Sequence, residues 1–207
     1  MLRSLDLAYN EIRSDGFLKL LSRLKKSPAL RSLNLSGNDL SENQAHFVNL
    51  EKFLRRNESC TFLQLNACKL QSPAMAFMGL GLAKNVTLER LSIGENNLTD
   101  RESIQHLVKG LLDNIEGSKL VDIDLQKNRL TSASIEPLAE LFDANYKLRS
   151  LNLRHNVITD EGACALLHAT SNNHYITRLQ ADMNPITVSI LSDLDAHTAQ
   201  NQQKVNE

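Results

Sequence analysis

Tryptophan is absent from this 207-residue chain, and phenylalanine and tyrosine together number nine (six Phe, three Tyr). Any core must therefore be built from aliphatic side chains. Cysteine is scarce and odd in number, at three, which excludes a disulfide framework and fits a reducing compartment. Neither sign of charge prevails: 23 Lys and Arg oppose 24 Asp and Glu for a net −1. Such a balance leaves no electrostatic footprint for DNA, RNA or an acidic membrane, so nucleic acid and membrane are not expected as partners. No apolar run reaches the roughly 18 residues of a membrane span, and Met1-Leu2-Arg3-Ser4-Leu5-Asp6 lacks the apolar stretch of a signal peptide. The expectation is a soluble, cytoplasmic chain. Glycine numbers eight without forming a phosphate-cradling cluster, and no P-loop, GxGxxG, GxSxG or HExxH occurs. Neither a cofactor nor a metal is expected.

What the chain has in excess is leucine, 37 residues, and asparagine, 20 residues. A search for self-similarity explains both. The string Leu2-x-x-Leu5-x-Leu7-x-x-Asn10-x-Ile12 recurs six times, ending at Ile176, Leu179, Ala181, Asn184 and Ile186. First positions fall at 2, 30, 60, 88, 120, 148 and 176, so the steps are 28, 30, 28, 32, 28 and 28 residues. The second half of a unit carries a helical stripe, as in Phe17, Leu20, Leu21 and Leu24 or Ile135, Leu138, Ala139 and Phe142. Asn10, Asn38, Asn96, Asn128, Asn156 and Asn184, with Cys68 in the third unit, stand where the chain leaves the strand. Backbone groups there face the interior without ladder partners, and an amide supplies both donors and an acceptor.

These residues resemble leucine-rich repeat proteins, and units of this length resemble the ribonuclease-inhibitor-like subfamily. The resemblance implies an α/β solenoid of about seven repeats, a horseshoe with a parallel sheet on the concave side and helices on the convex side. The solenoid is expected over residues 1–195, with a polar C-terminal tail over 196–207 in which a cap gives way to a short disordered end. The first repeat opens without a polar cap over Leu2, Leu5 and Leu7, which suggests a trimmed chain, a missing upstream domain, or cover from another chain.

Chemistry-bearing residues are few. Cys60, Cys68 and Cys164 fit structural places and are expected to be buried small hydrophobes. Of six histidines only His155 falls on the concave side, at a strand end, and none has metal-ligand spacing. Asp122 and Asp124 point the same way around Ile123, about 6.6 Å apart along a strand. They could serve acid–base or cation chemistry, but charge pairing across neighbouring strands competes. Three such pairs are expected: Arg90 with Asp122, Arg154 with Asp182, and Glu95 with Lys127. The tripeptides at Asn57, Asn85 and Asn97 match a glycosylation pattern and are read as coincidence in a chain without a secretory signal.

Strand alternation places the residues between the leucines on the concave face. The first three repeats present small neutral groups with Tyr9 and Phe62, and the later repeats carry most of the charge. Interface energy concentrates in aromatic and arginine anchors. The candidate partner-binding residues are Tyr9, Phe62, Arg90, Asp122, Asp124, Lys127, Arg154, His155, Arg178 and Asp182. The resemblance implies a non-catalytic module that binds another protein. Its finer forms are an inhibitor or regulator of an enzyme, or a bacterial effector or effector regulator acting in the host cytosol. The alternatives are a structural component using its convex face or N-terminal edge, and an enzyme built on Asp122, Asp124, Arg154 and His155.

Overall fold

A computed structural model describes residues 2–144 and 146–206. Met1 and Asn145, within the first expected unit, and Glu207, within the second, lie outside the described residues. Seven three-residue strands alternate with helices: β1 (Ser4–Asp6), α1 (Ser14–Leu24), β2 (Ser32–Asn34), a short 3₁₀ turn (Gln44–Phe47), α2 (Val48–Arg56), β3 (Phe62–Gln64), α3 (Ser72–Leu82), β4 (Arg90–Ser92), α4 (Arg101–Leu112), β5 (Asp122–Asp124), α5 (Ser132–Asp143), β6 (Ser150–Asn152), α6 (Asp160–Ser171), β7 (Arg178–Gln180) and α7 (Val188–Asn206). The strands form one parallel sheet in chain order. Their central residues align as Leu5, Leu33, Leu63, Leu91, Ile123, Leu151 and Leu179. The fold is thus an α/β leucine-rich repeat solenoid.

The curvature follows from two spacings. Neighbouring strands lie about 4.8 Å apart, whereas packed helices need about 8–10 Å, so stacking identical units must bend the stack toward the sheet. Between the layers runs one aliphatic core. Leu33, Leu35, Leu63, Leu65, Ile123, Leu125, Leu151 and Leu153 are all fully buried, and each such side chain contributes about 1.5–3 kcal/mol by leaving water.

The expected asparagine role is visible bond by bond. Asn128 Nδ2 donates to the carbonyls of Leu125 in its own repeat (3.1 Å) and Ile93 in the preceding one (2.9 Å). Its Oδ1 accepts from the Asn96 amide at 2.8 Å. Asn156 repeats the pattern one unit on, donating to Leu153 and Leu125 and accepting from the backbone of Asn128 and Leu130. Each amide therefore staples two repeats together, and the carbonyls of Ile93, Leu125 and Leu153 each receive two donors. Cys68 fills only half of this role. Its thiol donates weakly to Leu35 O at 3.2 Å and offers no counterpart of Oδ1, so the Leu40 amide turns to the backbone carbonyl of Cys68 instead. Cys68→Asn is expected to restore the missing acceptor and raise stability by about 1 kcal/mol in urea denaturation; a loss would mean the third repeat has closed around the smaller thiol.

A second asparagine ladder runs along the other side of the stack, and the sequence alone did not disclose it. Asn57 Nδ2 donates to Leu24 O, while its Oδ1 accepts from the Ser59 and Cys60 amides. Asn85 makes the same set with Leu54 O, Thr87 N and Leu88 N. These carbonyls belong to the ends of the preceding repeat's helices, which have no partner within their own helix. The tripeptides Asn57-Glu58-Ser59 and Asn85-Val86-Thr87 are thus stapling elements, with both asparagines buried.

The same device closes the C-terminal end and corrects the expected disorder there. Instead of a structureless polar end, α7 runs across residues 195 and 196 to Asn206. Leu194, Thr198 and Asn201 are buried at helical spacing, and Asn201 Nδ2 donates to Asn173 O and Ile176 O. A polar stripe hides as well as an apolar one when its groups find partners. A second correction concerns Cys164, which is exposed, unlike Cys60 and Cys68. It follows the fully buried Ala163 by one residue, and the 100° rotation per residue carries its thiol to the outer face of α6. Burial pushes the Cys60 thiol up to about 11 and that of Cys68 up to about 12, so neither supplies a thiolate near neutral pH.

Candidate functional site

Alternation along β2 to β7 fixes which side chains can meet. In every strand the central residue is buried, and its two neighbours face the concave side. The register sets Phe62, Arg90, Asp122, Ser150 and Arg178 side by side on β3 to β7. A hollow of about 210 Å³ opens over this row. It brings together five of the ten candidates, Phe62, Arg90, Asp122, Asp124 and Arg178, and adds Ser92, Ser150, Asn152 and Gln180. These four small polar residues were passed over in favour of the charged ones, although their places in the alternating rows already put them on this face.

One expected pair is not formed. Arg90 turns away from Asp122 and lays its guanidinium over the Phe62 ring, 4.2 Å from the centroid. Backbone alternation assigns a face but leaves the rotamer free, and an aromatic face desolvates a guanidinium at low cost while attracting its charge. Among the described residues neither Asp122 nor Arg178 has an oppositely charged side chain within the 4.0 Å limit of an ion pair. Asp124 is engaged: its carboxylate accepts from Ser92 Oγ at 3.2 Å and from the Gln126 amide and side chain at 3.0 and 3.1 Å. The single Ser92 hydroxyl proton is shared with Asn66 Oδ1, 2.8 Å away, so the floor of the hollow is a connected polar network.

The remaining candidates lie outside the hollow. Arg154 grips Asp182 through both Nε (2.8 Å) and Nη2 (2.7 Å), and Lys127 reaches Glu95 at 3.3 Å, the two pairings expected. Tyr9 stands at the opposite end of the sheet, 77% exposed. Its ring covers Gly37, where a Cβ would fall 2.2 Å from Tyr9 Cδ1. Tyr9, Lys127 and His155 share a feature that residue type did not announce. Every member of their strand-end row, Tyr9, Gly37, Ala67, Glu95, Lys127, His155 and Met183, has a φ between 51° and 71°. Left-handed backbone costs a non-glycine residue about 1–2 kcal/mol. It is held because the row continues the ladder past the strands: Ala67 N–H donates to Gly94 O, Glu95 N–H to Gln126 O and Lys127 N–H to Arg154 O. The rim of the concave face is therefore set by repeat geometry and presents its side chains at fixed angles.

The hollow offers no histidine, cysteine or lysine to pair with the aspartates. Among the described residues no three His, Cys, Asp or Glu side chains are grouped to hold a metal ion, and no helix is long and apolar enough to cross a membrane. What the site offers is a shallow polar surface with unspent charges on a rigid frame.

Comparison with known proteins agrees with the architecture. The Leucine Rich repeat family profile matches residues 1–21 and 144–167, and a second Leucine Rich Repeat profile matches residues 29–50. The chain is 30% identical over 166 residues to ribonuclease inhibitor of Sus scrofa, covering 80% of this chain and 36% of that protein. It is 29% identical over 198 residues to NACHT, LRR and PYD domains-containing protein 14 of Mus musculus, covering 93% of this chain and 19% of the relative. The chain thus spans well under half the length of these curated relatives. Among solved structures, a tropomodulin C-terminal domain from Caenorhabditis elegans superposes with a TM-score of 0.57 at 17% identity, covering 79% of this chain and 96% of that one. Leiomodin-1 Actin-Binding Site 2 follows at a TM-score of 0.55 and 11% identity, over 91% and 90% of the two chains; both show the fold alone. In-register repeats, a single parallel sheet and these relatives together identify the chain as a leucine-rich repeat protein of the ribonuclease-inhibitor-like kind.

Proposed function

We propose that this chain is a non-catalytic binding module whose concave sheet grips a partner protein and so inhibits or regulates it. The observation that carries this reading is the row Phe62, Arg90, Asp122, Ser150, Arg178. Arg90 is stacked and Asp122 and Arg178 are unpaired on a preformed surface, whereas Arg154 and Lys127 spend their charges within the sheet. Arginines and aromatics of this kind are the usual anchors of protein interfaces. Seven strands span about 29 Å, room for a standard interface of roughly 800 Å² per partner. The name of the pig relative, an inhibitor of ribonuclease, supports an enzyme as one class of partner. Two buried thiols with raised pKa values suit a cytoplasmic setting, where reduced cysteines persist.

The test is charge reversal on exposed positions. Immobilised wild-type chain and the Arg90→Glu/Arg178→Glu double variant are exposed to cytosol of the source organism, and retained proteins are quantified. The double variant should retain its partner at least about tenfold less well, with an unchanged melting temperature. Undiminished retention would sink the concave-face reading. The enzyme alternative makes the opposite demand, an activity of the pure protein that Asp124→Ala abolishes.

A further inference from the structure

Helices on the convex side of a solenoid are apolar inward and charged outward, and most of this chain follows that rule. Helix α2 exposes Lys52 and Arg55, and α4 and α5 are linked at their surface by Arg101 and Glu136. Helix α3 departs from it. Ser72-Pro-Ala-Met-Ala-Phe-Met-Gly-Leu-Gly-Leu82 contains no charged residue. While Met75 and Met78 fill the core, Leu80 stands outward with 62% of its surface exposed. A helix that is apolar on every side is one that is covered on every side.

Beside Leu80 the surface is indented. Gly79 and Gly110 bring α3 and α4 into backbone contact: a Cβ at either position would fall 2.2 Å from a carbonyl oxygen of the other helix. A groove of about 220 Å³ lies over this contact, walled on the α3 side by Ala76, Leu80 and Ala83 and on the α4 side by His106, Lys109 and Asp113. Both walls run eight residues, a rise of about two helical turns or 10 Å. That length fits two large apolar side chains one turn apart.

We propose that this groove is a second docking site, which takes an amphipathic helix of a partner protein with acidic residues beside its apolar stripe. Charge fixes the sign. Lys109 on the wall and Lys84 beyond Ala83 have no ion-pair partner among the described residues, and exposed Lys52 stands on the helix packed against the other side of α3. Asp113 on the wall and Glu102 one turn from His106 oppose them, while Glu51 is spent on Arg55, so the three lysines still outnumber those two carboxylates. Leucine-type side chains of the partner would rest on the glycine floor against Leu80, and its carboxylates would meet Lys84 and Lys109. A groove with a walled floor suits a helix better than a lipid surface, which needs a protruding apolar face. The site lies on the opposite side of the sheet from the Arg90 row, so both can be occupied together.

The test uses the full chain and fluorescent model peptides of about 20 residues, helical with leucines at i, i+3, i+4 and i+7. One peptide carries glutamates beside the leucines and its twin carries lysines. Anisotropy should show the glutamate peptide binding at least about tenfold more tightly than its twin. Leu80→Glu should abolish that binding, Lys84→Glu/Lys109→Glu should invert the preference, and Arg90→Glu/Arg178→Glu should leave it unchanged. The Lys84→Glu/Lys109→Glu variant alters only exposed side chains, so its fold is safe even if that of Leu80→Glu is not. Equal binding of both peptides, or binding indifferent to Leu80→Glu in a folded chain, overturns the proposal. So does Leu80-dependent attachment to phosphatidylserine vesicles, or Leu80-dependent self-association, in place of peptide binding.

Discussion

Asn128→Ala is expected to lower the unfolding free energy by about 3 kcal/mol, the sum of one orphaned buried amide, a second amide that loses a longer bond, and two weakened carbonyls. The residue is fully buried. Its Oδ1 is the acceptor for the Asn96 amide at 2.8 Å and the Leu98 amide at 3.4 Å, and alanine leaves both N–H groups without that acceptor. The carbonyls of Ile93 and Leu125 fare better, because Asn96 and Asn156 also donate to them. The loss therefore falls short of the full cost of four orphaned groups. Position in the ladder then sets a gradient. Asn10, in the first repeat, gives its amide to Ala8 O within its own loop, and among the described residues its Oδ1 accepts from no other repeat, so Asn10→Ala should cost under about 1 kcal/mol. Urea midpoints of the two variants decide the matter: equal losses would mean the asparagines act within their own turns and do not join one repeat to the next.

How far the sequence specified this molecule depends on what each residue had to satisfy. Leucine register was legible because seven aligned strands bury the same position, and a slip of one residue would turn every leucine to water. Asn38, Asn96, Asn128, Asn156 and Asn184 were legible because backbone groups at that turn had to find partners. The same logic applied to Asn57, Asn85 and Asn201, but their surroundings matched another pattern, a glycosylation tripeptide or a polar tail, and hid the second ladder. The concave hollow was half legible. Alternation named Phe62, Arg90, Asp122, Asp124 and Arg178, yet the swing of Arg90 from Asp122 to Phe62 is a choice of rotamer, which no periodicity encodes. Left-handed φ at Tyr9, Glu95 and Lys127 was illegible for a related reason: the repeat imposes it on residues that do not prefer it. The helix α3 lacked charge in plain view, but its outward face could be recognised only once its neighbours were placed.

Gly110→Ala is expected to cost at least about 3 kcal/mol, because the added methyl has nowhere to go. Its Cβ would stand 2.2 Å from Gly79 O and 2.7 Å from the Gly79 carbonyl carbon and Cα. These are backbone atoms of a packed helix, so relief requires α3 and α4 to separate. Separation would uncover Met75, Met78, Leu107 and Leu111, all buried at present, and would change the bend of the stack where β3 and β4 carry Phe62 and Arg90. Gly16→Ala is the informative contrast. That glycine also lies in a helix, but its Cβ would meet only the Ile12 Cγ2 methyl at 3.1 Å, a side-chain tip that can yield by a few tenths of an ångström. Alanine there should be neutral or gain up to about 1 kcal/mol from helix propensity. Thermal unfolding of both variants separates contact from propensity. If Gly110→Ala melts with wild type, α3 and α4 move apart freely, and neither the close packing of these repeats nor the floor of the groove beside Leu80 is held by the two glycines.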